Sequence, residues 1–207
     1  MGVRIVCISD THGQHAKTVI PDGDLLLCSG DITSHGQVRE VERFDQWLAT
    51  LPHPHKVVIA GNHDFCFQEV EQESRALIRH AHYLQDEGVT IEGLKIYGSP
   101  WQPVFCRMAF NLTAPYLRQR WAAIPDDTDV LLTHGPPHMI LDRTSRGHHA
   151  GCAELVARLQ TLKVKLHLFG HIHEGYGQVQ KDTTVHVNAA LCDLSMRLSN
   201  DPVIIDL

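Results

Sequence analysis

Short apolar runs, each ending on a glycine or a polar cluster, punctuate this chain. Residues 3–9 form the first, bounded by Asp10, and residues 25–29 the second, ending at Gly30-Asp31. Runs apolar on both faces predict strands in a sheet covered by helices. Between residues 37 and 51, Val38, Val41, Phe44, Trp47, Leu48 and Leu51 recur at spacings of three and four, which predicts a helix stopped by Pro52. Residues 56–60 read as a third strand. Residues 69–84 read as a helix, with Val70, Leu77, Ile78 and Ala81 on its apolar side.

The pattern then changes. Residues 89–91 and 94–97, joined by Glu92-Gly93, predict a hairpin. Residues 99–115 are irregular and carry Trp101, Phe105 and Phe110, and residues 116–123 predict a short helix. A strand at 129–133 is followed by a long loop, 136–150, and a helix at 151–162 with Cys152, Leu155, Val156 and Leu159 inward. Residues 166–169 predict a strand, 175–188 a hairpin broken at Lys181-Asp182, and 202–205 a last strand. Units of βαβ open the chain and hairpins thicken toward its end. That order predicts an α/β (α+β) fold of two packed mixed sheets with helices outside. With no repeat, low-complexity segment or linker, residues 1–207 read as one domain.

Composition narrows the function. Hydrophobic content of 43% and charged content of 20% are those of an ordinary globular chain. The net charge of −6, with no basic run, argues against a nucleic-acid polymer as partner. It does not exclude a phosphate substrate, because bound cations invert the local sign of a site. No apolar run nears the ~20 residues a membrane span needs. Val6 stands where a myristoylation motif needs Ser or Thr, and a strand starting at Val3 leaves no room for a signal peptide. The six cysteines form no C-x-x-C pair and read as reduced thiols, so a cytoplasmic location is expected.

Histidine is in excess, 16 in 207 residues. His15, His53, His55, His80, His82 and His186 read as surface or packing residues. Others fall in five clusters: Asp10-Thr11-His12, Gly30-Asp31, Gly61-Asn62-His63-Asp64, His134-Gly135 and Gly170-His171-Ile172-His173. Each follows a predicted strand, and ligands in open α/β sheets gather beyond strand carboxyl ends. Carboxylate, amide oxygen and imidazole suit borderline and hard divalent ions. Singly, Asp10 is a turn residue, His63 a loop residue and Gly61-Asn62 a common turn pair. All five clusters in one order point to a binuclear metal site and a phosphoester hydrolase.

The pattern D-x-H, G-D, G-N-H-D, H, G-H-x-H resembles the calcineurin-like metallophosphoesterase family, whose fold is a four-layer αββα sandwich. Residues 98–101, 133–137, 151–152 and 169–177 resemble a subgroup that includes brain-expressed metallophosphoesterase-domain proteins. Some animal members of that subgroup carry Gly at the position of His171; this chain keeps the histidine. The resemblance implies one ion on Asp10, His12, Asp31 and His173, and a second on Asp31, Asn62, His134 and His171, with Asp31 bridging. It implies a metal-bound hydroxide as nucleophile. His63 would protonate the leaving oxygen or steady its charge, and Asp64 would orient the His63 ring by a hydrogen bond. Mn²⁺ is the expected metal, with Fe, Zn and Co also suited to such ligands.

The expected activity is a phosphodiesterase on small molecules such as cyclic nucleotides. A phosphomonoesterase, a nuclease and a non-catalytic interaction module on the same fold are the alternatives. In the loop before Gly151-Cys152, His149 and Arg146 are candidates to reach substrate. Trp101, Phe65, Phe67 and Tyr176 would either stack a nucleobase or fill space under a loop.

Overall fold

Alternation along β1 (Arg4–Ile8) sets the layering: Ile5 and Cys7 join one buried cluster, Val6 and Ile8 another. The computed structural model describes residues 2–207. Strands β2 (Leu25–Cys28), β3 (His55–Val58) and β4 (His82–Tyr83) continue from β1 in parallel, and β13 (Val203–Asp206) pairs antiparallel on its other side. The second sheet contains β5 (Glu87–Ile91), β6 (Leu94–Ser99), β9 (Val130–Thr133), β10 (Leu166–Phe169), β11 (Gly177–Lys181) and β12 (Thr184–Asn188), in the order β11-β12-β10-β9-β6-β5. Parallel pairs in its middle and antiparallel hairpins at both edges make it mixed.

The inner cluster joins Ile5, Cys7, Leu27 and Val57 of the first sheet to Val130, Leu132, Leu168 and Val187 of the second. The first sheet's other face packs on α1 (Val38–Leu48) through Val41, Phe44 and Leu48. Tyr97 and Leu131 of the second sheet pack on Leu117 and Trp121 of α4 (Ala114–Ala122) and Leu155 of α5 (Ala153–Leu159). The result is helix, sheet, sheet, helix. A parallel bridge between Ser9 and Ala190 and a hydrogen bond from Ser29 Oγ to the Thr133 carbonyl (3.2 Å) tie the sheets together beside their strand ends.

The hairpins form as expected; at Glu92-Gly93 both residues take positive φ (50° and 78°), the twist a two-residue turn needs. One element differs. Residues 69–84 are not one helix but α2 (Cys66–Glu69), α3 (Glu71–Leu77) and then β4. Val70 breaks the turn at φ −133°. Beyond Leu77, the Asp45 carboxylate on α1 accepts the N–H groups of Arg79 (2.8 Å) and His80 (2.9 Å), which draws the chain out of helix. Tyr83 then pairs beside Val58 and stacks on Phe67, ring centroids 4.4 Å apart. Residues 99–115 also hold a two-residue pair, β7 (Gln102–Pro103) with β8 (Asn111–Leu112).

Candidate metal centre

Each cluster lies just beyond a strand end: Asp10 and His12 after β1, Asp31 after β2, Asn62 and His63 after β3, His134 after β9, His171 and His173 after β10. Four of these residues take the left-handed conformation: Asp10 (φ 52°), His12 (43°), Asp31 (50°) and His171 (66°). For a side chain with a Cβ this costs on the order of 1–3 kcal/mol. The turns are held by cross-loop bonds: the Asp10 N–H donates to the Gly30 carbonyl (3.0 Å) and the His12 N–H to the Asp31 carbonyl (2.9 Å). Two glycines are demanded by crowding. A Cβ at Gly170 would overlap the Asp10 carboxylate, and one at Gly61 would meet Asp31 and lie 2.6 Å from His134 Cε1.

The side chains converge in three overlapping groups, Asp10-His12-His173, His12-Asp31-His63 and Asp10-Asp31-His134, with donor atoms within 4.8 Å of one another in each. The Asp31 carboxylate faces two ways: Oδ2 lies 3.7 Å from His12 Nε2, and Oδ1 lies 3.5 Å from His134 Nε2. His171 joins none of these groups, but its ring packs on that of His134 with centroids 5.1 Å apart. Its N–H donates to both Asp10 oxygens (3.2 and 3.0 Å).

The donor set suits cations. His134 Nδ1 donates to the Ser29 carbonyl (2.9 Å), which leaves Nε2 as a lone pair 2.8 Å from the oxygen of the Asn62 amide. His173 Nδ1 faces the Asp193 carbonyl (2.9 Å), aiming Nε2 at Asp10 Oδ1 (3.2 Å) and His12 Nε2 (3.4 Å). Acceptors facing acceptors in a dry pocket are stable when a cation lies among them, and a carbonyl on the far nitrogen is the usual partner of a ligating imidazole.

Charge tells the same story. Burial raises the Asp31 carboxyl well above the usual range, and the Asp10 and Asp64 carboxylates beside it add to that. Burial acts the same way on Asp10, but the His173 ring bonded to it, with His134 and His12 nearby, holds it well below. Burial lowers His12 to about 4 and, with His134 alongside, His171 to about 3. Burial also opposes charge on His173, yet the Asp10 carboxylate lifts it to about 9. Two crowded carboxylates, two imidazoles held neutral (His12 and His171) and a His173 that takes up a proton to offset Asp10 are the environment a divalent ion relieves.

His63 stands against this cluster, its ring edge-to-face with His12 at 4.7 Å. Its Nδ1 faces the Ser34 carbonyl (3.2 Å) and its N–H donates to Asp31 Oδ1 (2.7 Å). The expected bond from Asp64 to the His63 ring is therefore corrected. Asp64 is fully buried and accepts the N–H groups of Ile32 (3.2 Å), Thr33 (2.9 Å) and Gly61 (2.8 Å) and the Thr33 hydroxyl (2.7 Å). It clamps the loops after β2 and β3 instead.

Among the outer candidates, Trp101 is a packing residue: its Nε1 donates to Asp86 (2.7 Å), Arg120 covers its ring at 4.6 Å, and its edge meets Phe110. Phe67 is fully buried under Tyr83, which leaves it no face for a base, and the partly buried Phe65 packs on the first core cluster. The Tyr176 hydroxyl donates to the Asp201 carbonyl (2.9 Å). His149 Nδ1 pairs with the buried Asp142 (2.6 Å), and Arg146 is exposed in the same loop. Among the described residues, His149 belongs to none of the three donor groups. Ser29, Ser34 and Asp193 orient the histidines through main-chain carbonyls, which no side-chain pattern could announce.

The calcineurin-like phosphoesterase family profile matches residues 3–175. The chain is 40% identical over 230 residues to human metallophosphoesterase domain-containing protein 1, covering 99% of this chain and 71% of that protein. It is 27% identical over 168 residues to a probable cyclic nucleotide phosphodiesterase of Synechococcus, covering 78% and 62% of the two chains. A solved protein of Thermus thermophilus superposes with a TM-score of 0.66 at 16% identity, covering 91% of this chain and 89% of that one, a likeness of fold.

Proposed function

The chain belongs to the calcineurin-like phosphoesterase family, and from that premise we propose that it hydrolyses small-molecule phosphodiesters, cyclic nucleotides among them, with two divalent metal ions. Asp10, His12, Asp31 and His173 would hold one ion, and Asp31, Asn62, His134 and His171 the other. The observation that carries this reading is the divided Asp31 carboxylate, one oxygen toward His12 and the other toward His134. Cations bound there supply Lewis acidity toward phosphoryl oxygens and acidify water, and Mn²⁺ is the metal proposed.

The residues of the chain do the rest. Ser29 and Asp193 hold the His134 and His173 rings with Nε2 inward. His63, with Nδ1 committed to the Ser34 carbonyl, has Nε2 left to carry a proton to the leaving oxygen. A positioned acid matters most for a poor leaving group, which favours diesters. The name of the cyanobacterial relative agrees with a cyclic nucleotide substrate.

The test is kcat/KM with Mn²⁺ on cyclic nucleotides and bis-p-nitrophenyl phosphate against p-nitrophenyl phosphate. A diester preference is expected, and a strong monoester preference would overturn the proposal. His63→Ala should keep its metal by elemental analysis and lose about 10²–10⁴-fold in kcat.

A further inference from the structure

A cavity of about 420 Å³ opens beside the histidine cluster, with His171 and Gly135 in its wall. That volume lies within the ~300–1,000 Å³ typical of small-molecule sites. Val104, Phe105, Pro136, Ile172 and Leu194 make most of the lining apolar. Its acidic member, Glu174, accepts the N–H of Ser145 at 2.6 Å.

Phe105 is 52% exposed, and Val104 (62%) and Leu194 (60%) stand exposed on the same cavity. Single exposed apolar residues are ordinary, but a cluster of them around a hollow marks a binding surface. The backbone under the Phe105 ring is fastened. Its N–H donates to Asn111 Oδ1 (3.2 Å), and Asn111 Nδ2 donates to the carbonyls of Phe105 (3.0 Å) and Cys106 (3.3 Å). One amide side chain thus satisfies both main-chain polar groups of Phe105 and leaves the ring as the uncommitted part. The ring meets His171 edge to face, centroids 5.6 Å apart at 82°. An aromatic ring held over an apolar hollow, against a residue of the polar centre, is suited to a planar group joined to an anion.

We propose that this cavity receives the organic substituent of the phosphoester, that the substituent is a planar, uncharged aromatic group, and that Phe105 is the residue that selects it. The proposal rests on the phosphoester reading only for the position of the phosphate. A nucleobase and a simple aryl ring share the required chemistry, and the arms of the test separate them.

Mn²⁺-loaded protein is titrated calorimetrically with methylphosphonate, phenylphosphonate and the methylenephosphonate analogue of adenosine monophosphate. These share an anionic head and are not hydrolysed. The ring-bearing ligands should bind more tightly than methylphosphonate. Phe105→Ala should cut that preference about tenfold, as expected for loss of one stacking face, and Phe105→Trp should keep it. Gain for the adenosine ligand alone identifies a nucleobase, and gain for the phenyl ligand as well identifies any aryl ring. No preference in the wild type, or the same preference in Phe105→Ala, overturns the proposal. A retained preference in a protein that turns over no ester would count against the phosphodiesterase reading alone.

Discussion

Four hydrogen bonds end on the Asp64 carboxylate, three of them from main-chain N–H groups of Ile32, Thr33 and Gly61. An acceptor with two ionised oxygens is the only common side chain that can receive them all. In Asp64→Asn the new NH₂ must face an N–H, leaving donors unpaired in a dry site. Urea unfolding should show a loss of about 2–4 kcal/mol; a loss under about 0.5 kcal/mol would show that Asp64 is not the clamp. That Asp10, His12, Asp31, Asn62, His134, His171 and His173 meet in one place was legible because side-chain type and order recur at successive strand ends. The partner of His63 was not legible, because the Ser34 carbonyl that meets it could belong to any residue type. Trp101 was left with two readings, stacking or packing, because an aromatic in an irregular stretch reads alike whether it faces substrate or, as here, Asp86, Arg120 and Phe110.

Strands were readable as elements because burial on both faces leaves a largely apolar run, unbroken in Leu25–Cys28 and interrupted only by the buried His167 in Leu166–Phe169. The span 69–84 was not, because its apolar spacing is helical while its backbone partners lie on α1. There Asp45, buried beneath the helix, takes the N–H groups of Arg79 and His80 and pairs with His80 Nδ1 at 2.9 Å. The competing pull is tertiary, and periodicity does not register it. Asp45→Ala should therefore cost about 1–3 kcal/mol in denaturant unfolding. It should also speed amide exchange at Arg79 and His80 more than at Val41 or Phe44 on α1. Equal protection at Arg79 and His80 in variant and wild type would mean that β4 pairing, not Asp45, ends the helix.

Neither sheet owns the site: Asp10, Asp31, Asn62 and His63 follow strands of the first, and His134, His171 and His173 follow strands of the second. The sandwich must close before the groups meet, so whatever loosens its outer layers also opens the centre. Buried histidines make that closure depend on pH. His15 lies under α1 against Phe44 and Trp47, ring centroids 5.1 Å away in each case. His186 on β12 lies against His167 on the neighbouring strand β10 of the second sheet. Burial lowers both to about 4, Glu40 acting weakly the other way on His15 and Lys181 reinforcing the shift on His186. In the unfolded chain a histidine titrates near ~6.5. Between those values the unfolded state binds protons that the folded state refuses. Stability is thus full above about pH 6.5 and falls as pH drops toward 4, by on the order of 2 kcal/mol per ring at about pH 5. Urea midpoints read at about pH 7.5 and about pH 5 should show this loss, and His15→Phe should remove its own share of the slope. A wild-type protein equally stable at both values, or a His15→Phe slope identical to wild type, would mean that these rings are protonated within the fold.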